Sequence, residues 1–441
     1  MTLYKKDVIV ALATPIGVGA IAVIRISGAC LVDLFCSLSN IESPKDRHVY
    51  NVTLKSKKSR KSLDNVLITY YKGPHSFTGE DVVEISCHGG VAVSRRIIKE
   101  LILYGCRYAE AGEFSKRAFL NGKIDLTQVE SINQIISSKS DEEVNLGLMG
   151  LEGRTKSKLQ KTKKQITDLI TFIEHELDFV EGELVPTKES VLKSSIKKIL
   201  LQIDEILIGS LAGKKISAGI RVAIIGPPNA GKSTLFNTLL GEDRAIVSAQ
   251  KGTTRDSIEA LIEISGTPVI LVDTAGYWKG KDSLDVLGIK KTKEEIKISD
   301  IVVVLDETNP LDFVKELSIN IKRGVFVASK SDINKKINLK KCIQISSLKN
   351  KNIKKLLTSL STIIKTDFFP ENRINCSARQ VQLLERAKGS LAVAYKEFSS
   401  NDLVQTVCLL RASLEEMKEV VGEVYNEDIL NNIFAEFCVG K

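Results

Sequence analysis

The sequence predicts a multidomain α/β protein: an N-terminal α/β domain, a helical domain split in the sequence, and a second α/β module inserted between its halves. Three observations carry this expectation. Strand-like apolar runs alternate with turns over residues 1–119, and apolar side chains recur at helical spacing over 120–216 and again over 371–441. The intervening stretch, 217–370, opens on a short apolar run that leads straight into a glycine-rich turn.

In chain order, Asp7 to Pro15 and Ala20 to Gly28 read as two strands around a glycine-containing turn. His48 to Leu54 and Leu63 to Tyr71 read as a further pair, bridged by the basic run Lys55 to Lys61, a solvated hairpin tip. Asp81 to Gly90 is a strand ending in two glycines, and Val91 to Tyr104 has helical periodicity. From Leu126 the pattern turns helical, with Val129, Ile132, Ile135 and Ile136 on one face. The faces Ile166, Leu169, Ile170, Ile173 and Leu177, then Leu192, Ile196, Ile199, Leu200, Ile203, Ile206 and Leu207, are clearer. After Phe369-Pro370 the pattern resumes through Leu383, Leu384, Ala387 and Leu391, then from Leu403 to Val421. Insertion of one module into another is feasible because domain termini often lie close together.

Inside the module, Gly226-Pro-Pro-Asn-Ala-Gly-Lys-Ser233 fits G-x-x-x-x-G-K-[ST] and follows Arg221 to Ile225, a strand by its pattern. A chain turning tightly from strand to helix aims several backbone N–H groups at one phosphate group, and glycine permits the close approach. Lys232 would reach the β- and γ-phosphates and Ser233 would offer a hydroxyl to Mg²⁺. Thr254, in Gly252-Thr-Thr-Arg255, and Asp273, in Leu271-Val-Asp-Thr-Ala-Gly276, can also serve Mg²⁺, while the Gly276 N–H can sense a γ-phosphate. Ser329-Lys-Ser-Asp332 stands close to the Asn-Lys-x-Asp guanine reader. One Asp332 carboxylate can accept from guanine N1 and N2, which adenine cannot offer. Lys341 to Ser347 ends a last strand where a base-contacting serine loop belongs. Five elements in this order predict a Ras-like P-loop GTPase domain.

The 441 residues suffice for two to four domains with real cores. No apolar run reaches membrane-spanning length and no signal peptide is read at the start, so a cytoplasmic protein is expected. Eight cysteines without C-x-x-C spacing argue against zinc and against a disulfide framework. A net charge of +9 suits a polyanionic partner. Lysines 156, 158, 161, 163 and 164 on one helical segment form a candidate phosphate-facing stripe. His88, with no second ligand at metal spacing, reads as structural.

Beyond the module, the chain resembles the MnmE (TrmE) family of tRNA-modification GTPases from end to end. The residues that carry this are Ala13-Thr-Pro15, Arg25-Ile-Ser-Gly28, Ser76 to Asp81, Cys87-His-Gly-Gly90, Gly112-Glu-Phe-Ser115, Arg117 to Asn121, Gly252 to Asp256 and Phe437-Cys-Val-Gly-Lys441. The resemblance implies aminomethyl-type modification at C5 of the wobble uridine of certain tRNAs. It also implies an FAD-protein partner, MnmG, in a heterotetramer, and a homodimer formed through the N-terminal domain. A tetrahydrofolate such as 5-formyltetrahydrofolate would be held by Arg25, Glu84, Lys123 and Lys441, with Cys438 as a candidate reactive thiol. GTP would contact Asn229, Ala230, Gly231, Lys232, Ser233, Thr234, Ser248, Ala249, Gln250, Lys251, Gly252, Thr253 and Thr254. It would further contact Asp273, Thr274, Ala275, Gly276, Ser329, Lys330, Asp332, Ser346 and Ser347. A catalytic K⁺ would sit at Asn229, Ser248, Gln250 and Thr253.

Two departures stand out. Ser329 replaces the usual asparagine, which loosens the expected hold on guanine. Tyr277 replaces the water-orienting glutamine of Ras-type switches; the family places a glutamate shortly before a Gly-Ile pair, here Gly288-Ile289, and the aligned residue is Asp285. Two other classes stay open on the motifs alone: an RNA- or ribosome-binding GTPase switch without modification chemistry, and a P-loop ATPase or kinase, which Asp332 disfavours.

Overall fold

The computed structural model describes residues 7–178, 189–241, 258–274, 284–316, 318, 320–333, 342–368, 374–398 and 403–441. It divides into two units, residues 1–133 with 415–441, and residues 134–414.

The first unit is built on six strands, β1 (Ile9–Leu12), β2 (Ile21–Gly28), β3 (Val49–Lys55), β4 (Ser62–Tyr71), β5 (Asp81–His88) and β6 (Arg107–Tyr108), in the order β3-β4-β5-β2-β1-β6. All pairings are antiparallel except β1 with β6. Strand alternation sorts the side chains. Val10 joins Ile24, Ile26, Ile68 and Ile85 beneath helices Val32–Ser39 and Val91–Leu103, whereas Ile9 and Ala11 face Phe114 on the other side. There, helix Glu427–Ala435, capped by Asn426 Oδ1 accepting from Ile429 N at 2.7 Å, packs Leu430 and Phe434 against Leu126 and Val129. Gly112, at φ +64°, lets this contact close, because a Cβ there would lie 2.7 Å from the Phe434 carbonyl oxygen.

The second unit carries β7 (Ile220–Ile225), β8 (Ile258–Ile264), β9 (Thr267–Asp273), β10 (Ile301–Asp306), β11 (Gly324–Ala328) and β12 (Ile343–Gln344), ordered β12-β11-β10-β7-β9-β8. Every pairing is parallel except β8 with β9. The inner strands β7, β9 and β10 are buried along nearly their whole length, as a sheet covered by helices on each side demands, whereas the edge strand β8 carries Glu259 and Glu263. Before and after this sheet come long helices, Arg154–Asp178, Glu189–Ala218 and Ala378–Glu397, the last two packed together. Most of the expected apolar faces are buried; Ile132, Ile135 and Leu200 are half-buried, and Ile136 and Leu177, 41% and 42% exposed, lie in the last turn of their helices. Among the described residues no helix is long and apolar enough to cross a membrane.

Candidate functional site

Strand β7 delivers the chain to Gly226 at the carboxyl end of the parallel sheet, the place where open α/β sheets bind ligands. Only glycine fits there: a Cβ would sit 2.0 Å from the Leu305 carbonyl oxygen on β10. The turn continues through Asn229, exposed at φ +62°, and Gly231 at φ +94°, then enters helix Lys232–Gly241. Ala230 is buried, while Ser233 and Thr234 are exposed at the helix start. The successive left-handed positions turn backbone N–H groups inward, the geometry of an anion nest.

Lys232 is 4% exposed, and its Nζ donates to the carbonyl oxygens of Gly226 (2.9 Å) and Pro227 (2.8 Å). Burial, opposed by the charge of Asp273, pushes its pKa down to about 8. Asp273 ends β9 directly opposite Ile224 of β7 and is 1% exposed; the neighbouring Thr274 Oγ1 donates to the Ile224 carbonyl at 2.8 Å. Sheet register therefore places the candidate metal carboxylate beside the phosphate turn.

The candidate base reader follows β11. Ser329 N donates to the Asp306 carbonyl (2.8 Å) and Ser331 N to that of Ile345 (2.9 Å), which fixes the loop to β10 and to the chain after β12. Lys330, at φ +52°, pairs with Glu307. A hydrogen bond from Ser346 holds the Asp332 carboxyl below its ordinary pKa, so Ser346 acts on the carboxylate. Ser347 is tied to the phosphate helix through Thr238 Oγ1, 3.4 Å from its carbonyl. Among the described residues the buried Ser329 hydroxyl has no hydrogen-bond partner. Ser248, Ala249, Gln250, Lys251, Gly252, Thr253, Thr254, Ala275, Gly276 and Tyr277 lie outside the described residues, as does the side chain of Asp285, whose backbone belongs to helix Leu284–Ile298.

In the first unit, Arg47, Tyr71, His75, Phe77, Glu84 and Lys123 line a cavity of about 400 Å³. Arg25 and Glu84 are directly opposite on β2 and β5 and bond to each other, Nη2 to Oε1 at 2.8 Å, with the guanidinium 5.3 Å from the Phe77 ring centre. Tyr71 OH lies 3.4 Å from Glu84 Oε2; burial and then the Glu84 charge raise the tyrosine pKa. Lys123 Nζ donates to the Pro74 carbonyl at 2.9 Å. The tail is stitched in by Phe114 N donating to the Lys441 carbonyl (3.2 Å) and by the bridge from Ala111 to Val439. Burial and the Arg25 charge lower the Lys441 pKa, and Cys438 is exposed.

One group that sequence reasoning missed holds the wall of this cavity. Arg117, 1% exposed, bonds Asp7 Oδ1 (2.8 Å), Glu80 Oε2 (3.0 Å) and Glu113 Oε1 (3.0 Å). Ser27 Oγ donates to Glu80 Oε2 at 2.8 Å and meets Thr78 Oγ1 at 2.7 Å, so the loop carrying His75 and Phe77 is anchored at Thr78 and Glu80. His88 Nδ1 pairs with Asp64 Oδ1 at 2.7 Å.

Residues 8–123 match the family model described as GTP-binding protein TrmE N-terminus, and residues 126–438 match the MnmE helical domain. The tRNA modification GTPase MnmE of Aquifex aeolicus (strain VF5) is 35% identical over 99% of this chain and 100% of its own length. That of Fervidobacterium nodosum (strain ATCC 35602 / DSM 5306 / Rt17-B1) is 36% identical over 99% and 98%. A likeness that runs the full length of both chains and covers both pockets places this chain in the MnmE family.

Proposed function

We propose that this chain, a GTP-hydrolysing enzyme of the MnmE family, takes part in adding a (carboxymethyl)aminomethyl group at C5 of the wobble uridine of certain tRNAs. In this reading it works in the cytoplasm, as a homodimer through the N-terminal domain and with an MnmG-type FAD protein, and its domains meet near residues 119, 216 and 370. The observation that carries the proposal is the pairing, in one chain of this family, of a phosphate turn and guanine reader with a second, polar pocket on the N-terminal sheet.

The residues of that pocket fit a tetrahydrofolate. Phe77 offers a ring face, the Glu84 carboxylate offers an acceptor edge for a pterin, and Arg47 and Lys123 supply cations for a folate's carboxylates, to which Lys441, outside the cavity lining and within the field of Arg25, would add a third. When bound, the folate would supply a one-carbon unit. Calorimetric titration with 5-formyltetrahydrofolate tests this: saturable binding is expected, and binding that survives loss of Arg25 and Glu84 together would refute the assignment. At the nucleotide, Ser233, Asp273 and Thr254 would serve Mg²⁺, and Asn229, exposed on the phosphate turn, would join Ser248, Gln250 and Thr253 around K⁺. A cation fixed beside the phosphates neutralises developing charge without reorganisation. Hydrolysis is therefore expected to run several-fold faster in K⁺ than in Na⁺ at equal ionic strength; equal rates with intact nucleotide binding would remove K⁺ from the mechanism.

A further inference from the structure

Between Glu152 and Asp168 the chain carries six basic residues and no acidic one. This stretch forms the first four turns of helix Arg154–Asp178, whose buried side is Thr155, Leu159, Thr162 and Ile166. The structure divides the five lysines read from the sequence: Lys156 and Lys163 are half-buried, whereas Lys158, Lys161 and Lys164 are exposed, one turn apart, over about 9 Å of helix axis. Arg154 is drawn back to Glu152 at 3.0 Å. Two lysines elsewhere in this unit meet carboxylates, Lys388 with Asp204 at 2.6 Å and Lys215 with Asp300. Among the described residues the ammonium groups of Lys158, Lys161 and Lys164 have no such partner.

This arrangement works against the helix. Like charges three residues apart on one helix face repel. No acid stands four residues from Lys158 or Lys161, and only Asp168 lies four residues beyond Lys164; the exposed neighbours of the stripe are Ser157, Gln160 and Thr167, hydrogen-bonding groups without charge or apolar bulk. An apolar fringe suited to a membrane is missing from these exposed positions. We propose that Lys158, Lys161 and Lys164 form a docking stripe for the phosphate backbone of RNA, and that the RNA is the tRNA substrate. The assignment rests on the tRNA reading given above.

The test uses the full-length protein and an unmodified tRNA transcript, with affinity measured by fluorescence anisotropy across 50 to 200 mM KCl. The variant replaces Lys158, Lys161 and Lys164 by glutamine, and a control replaces the exposed Lys197 and Lys198. Loss of about three phosphate contacts should weaken binding at least tenfold at 100 mM salt and reduce the slope of log affinity against log salt by about 2 to 3. Basal GTP hydrolysis should match wild type and Tm should equal or slightly exceed it, since the repulsion along the stripe is relieved, and the control should bind as wild type does. Wild-type affinity and slope in the triple variant, or an equal loss in the control, would overturn the stripe while leaving the tRNA reading standing. Absence of saturable tRNA binding by the wild type would overturn both. Triple-variant loss of binding to phosphatidylserine vesicles, with tRNA affinity intact, would assign the stripe to a membrane surface instead.

Discussion

Lys232 ties nucleotide affinity to pH, and the size of the effect follows from its surroundings. In the free protein its ammonium is 4% exposed and rests on two carbonyl oxygens, and burial pushes its pKa to about 8. Phosphate oxygens favour the charged form, so binding raises this pKa and takes up a proton. If only the charged form binds well, the apparent Kd grows as 1 + 10^(pH − 8), which is about 1.3 at pH 7.5 and about 11 at pH 9, a weakening of about eightfold. GDP is the better probe, since its own phosphates are ionised throughout that window. Titration at pH 8 in two buffers of different ionisation enthalpy should reveal uptake of about half a proton per site. Lys232→Arg supplies the control, because a guanidinium stays charged and its profile should be flat. The sign for folding is fixed as well: a lysine whose folded pKa is lowered opposes folding below about pH 8, and this opposition fades as pH rises towards its ordinary value. A flat wild-type Kd between pH 7.5 and 9, together with no buffer dependence of the heat, would refute the reasoning.

Asp332→Ala should weaken GTP about 100-fold, near 3 kcal/mol for two charge-assisted hydrogen bonds, and Asp332→Asn should shift preference towards xanthine nucleotides; competition against a fluorescent guanine nucleotide reads both. Ser329→Asn should tighten GDP several-fold by replacing an unpartnered hydroxyl with a longer carboxamide, and an unchanged Kd would show that Ser329 lies off the base. Arg117→Met should cost about 3 to 5 kcal/mol by leaving three carboxylates facing one another. Burial raises the pKa values of Asp7 and Glu113, but the guanidinium groups outweigh it and hold both low; the stability they lend is present above about pH 4 and is lost as pH falls further, so the Tm gap between variant and wild type should narrow in acid. If Asp285 orients the attacking water, Asp285→Ala should lose at least tenfold in kcat, about 1.4 kcal/mol, while Asp285→Glu keeps or raises it; an alanine variant at wild-type rate would exclude the residue.

The phosphate turn was legible because its chemistry is local: eight consecutive residues specify a backbone path, and the structure follows it down to the glycine whose Cβ would strike Leu305. The same holds for the helical faces, where period alone separates Ile166, Leu169, Ile170 and Ile173, all buried, from the exposed Thr167, Asp168 and Thr171 between them. β10 escaped notice although Ile301 to Leu305 is continuously apolar, because a parallel core strand carries no alternation and no motif to mark it. The pairing of Arg25 with Glu84 depends on a register between strands 59 residues apart, which no spacing rule supplies. The hydrogen bond between Ser346 and Asp332 is likewise created only where β11 and β12 run side by side.

Arg117 marks the limit most clearly. On helix Glu113–Leu120 an arginine between lysine and alanine reads as solvent-facing, since charge and hydropathy both argue for exposure. It is nevertheless among the largest fully buried side chains, because the fold brings Asp7 from 110 residues away and Glu80 from 37 to join Glu113 one turn earlier. A buried guanidinium is tolerable only with its carboxylates in place, and of the three only Glu113 is encoded near residue 117. The wall loop of the N-terminal cavity, anchored through Glu80, Thr78 and Asn121, therefore depends on a long-range electrostatic knot that hydropathy disguises as surface.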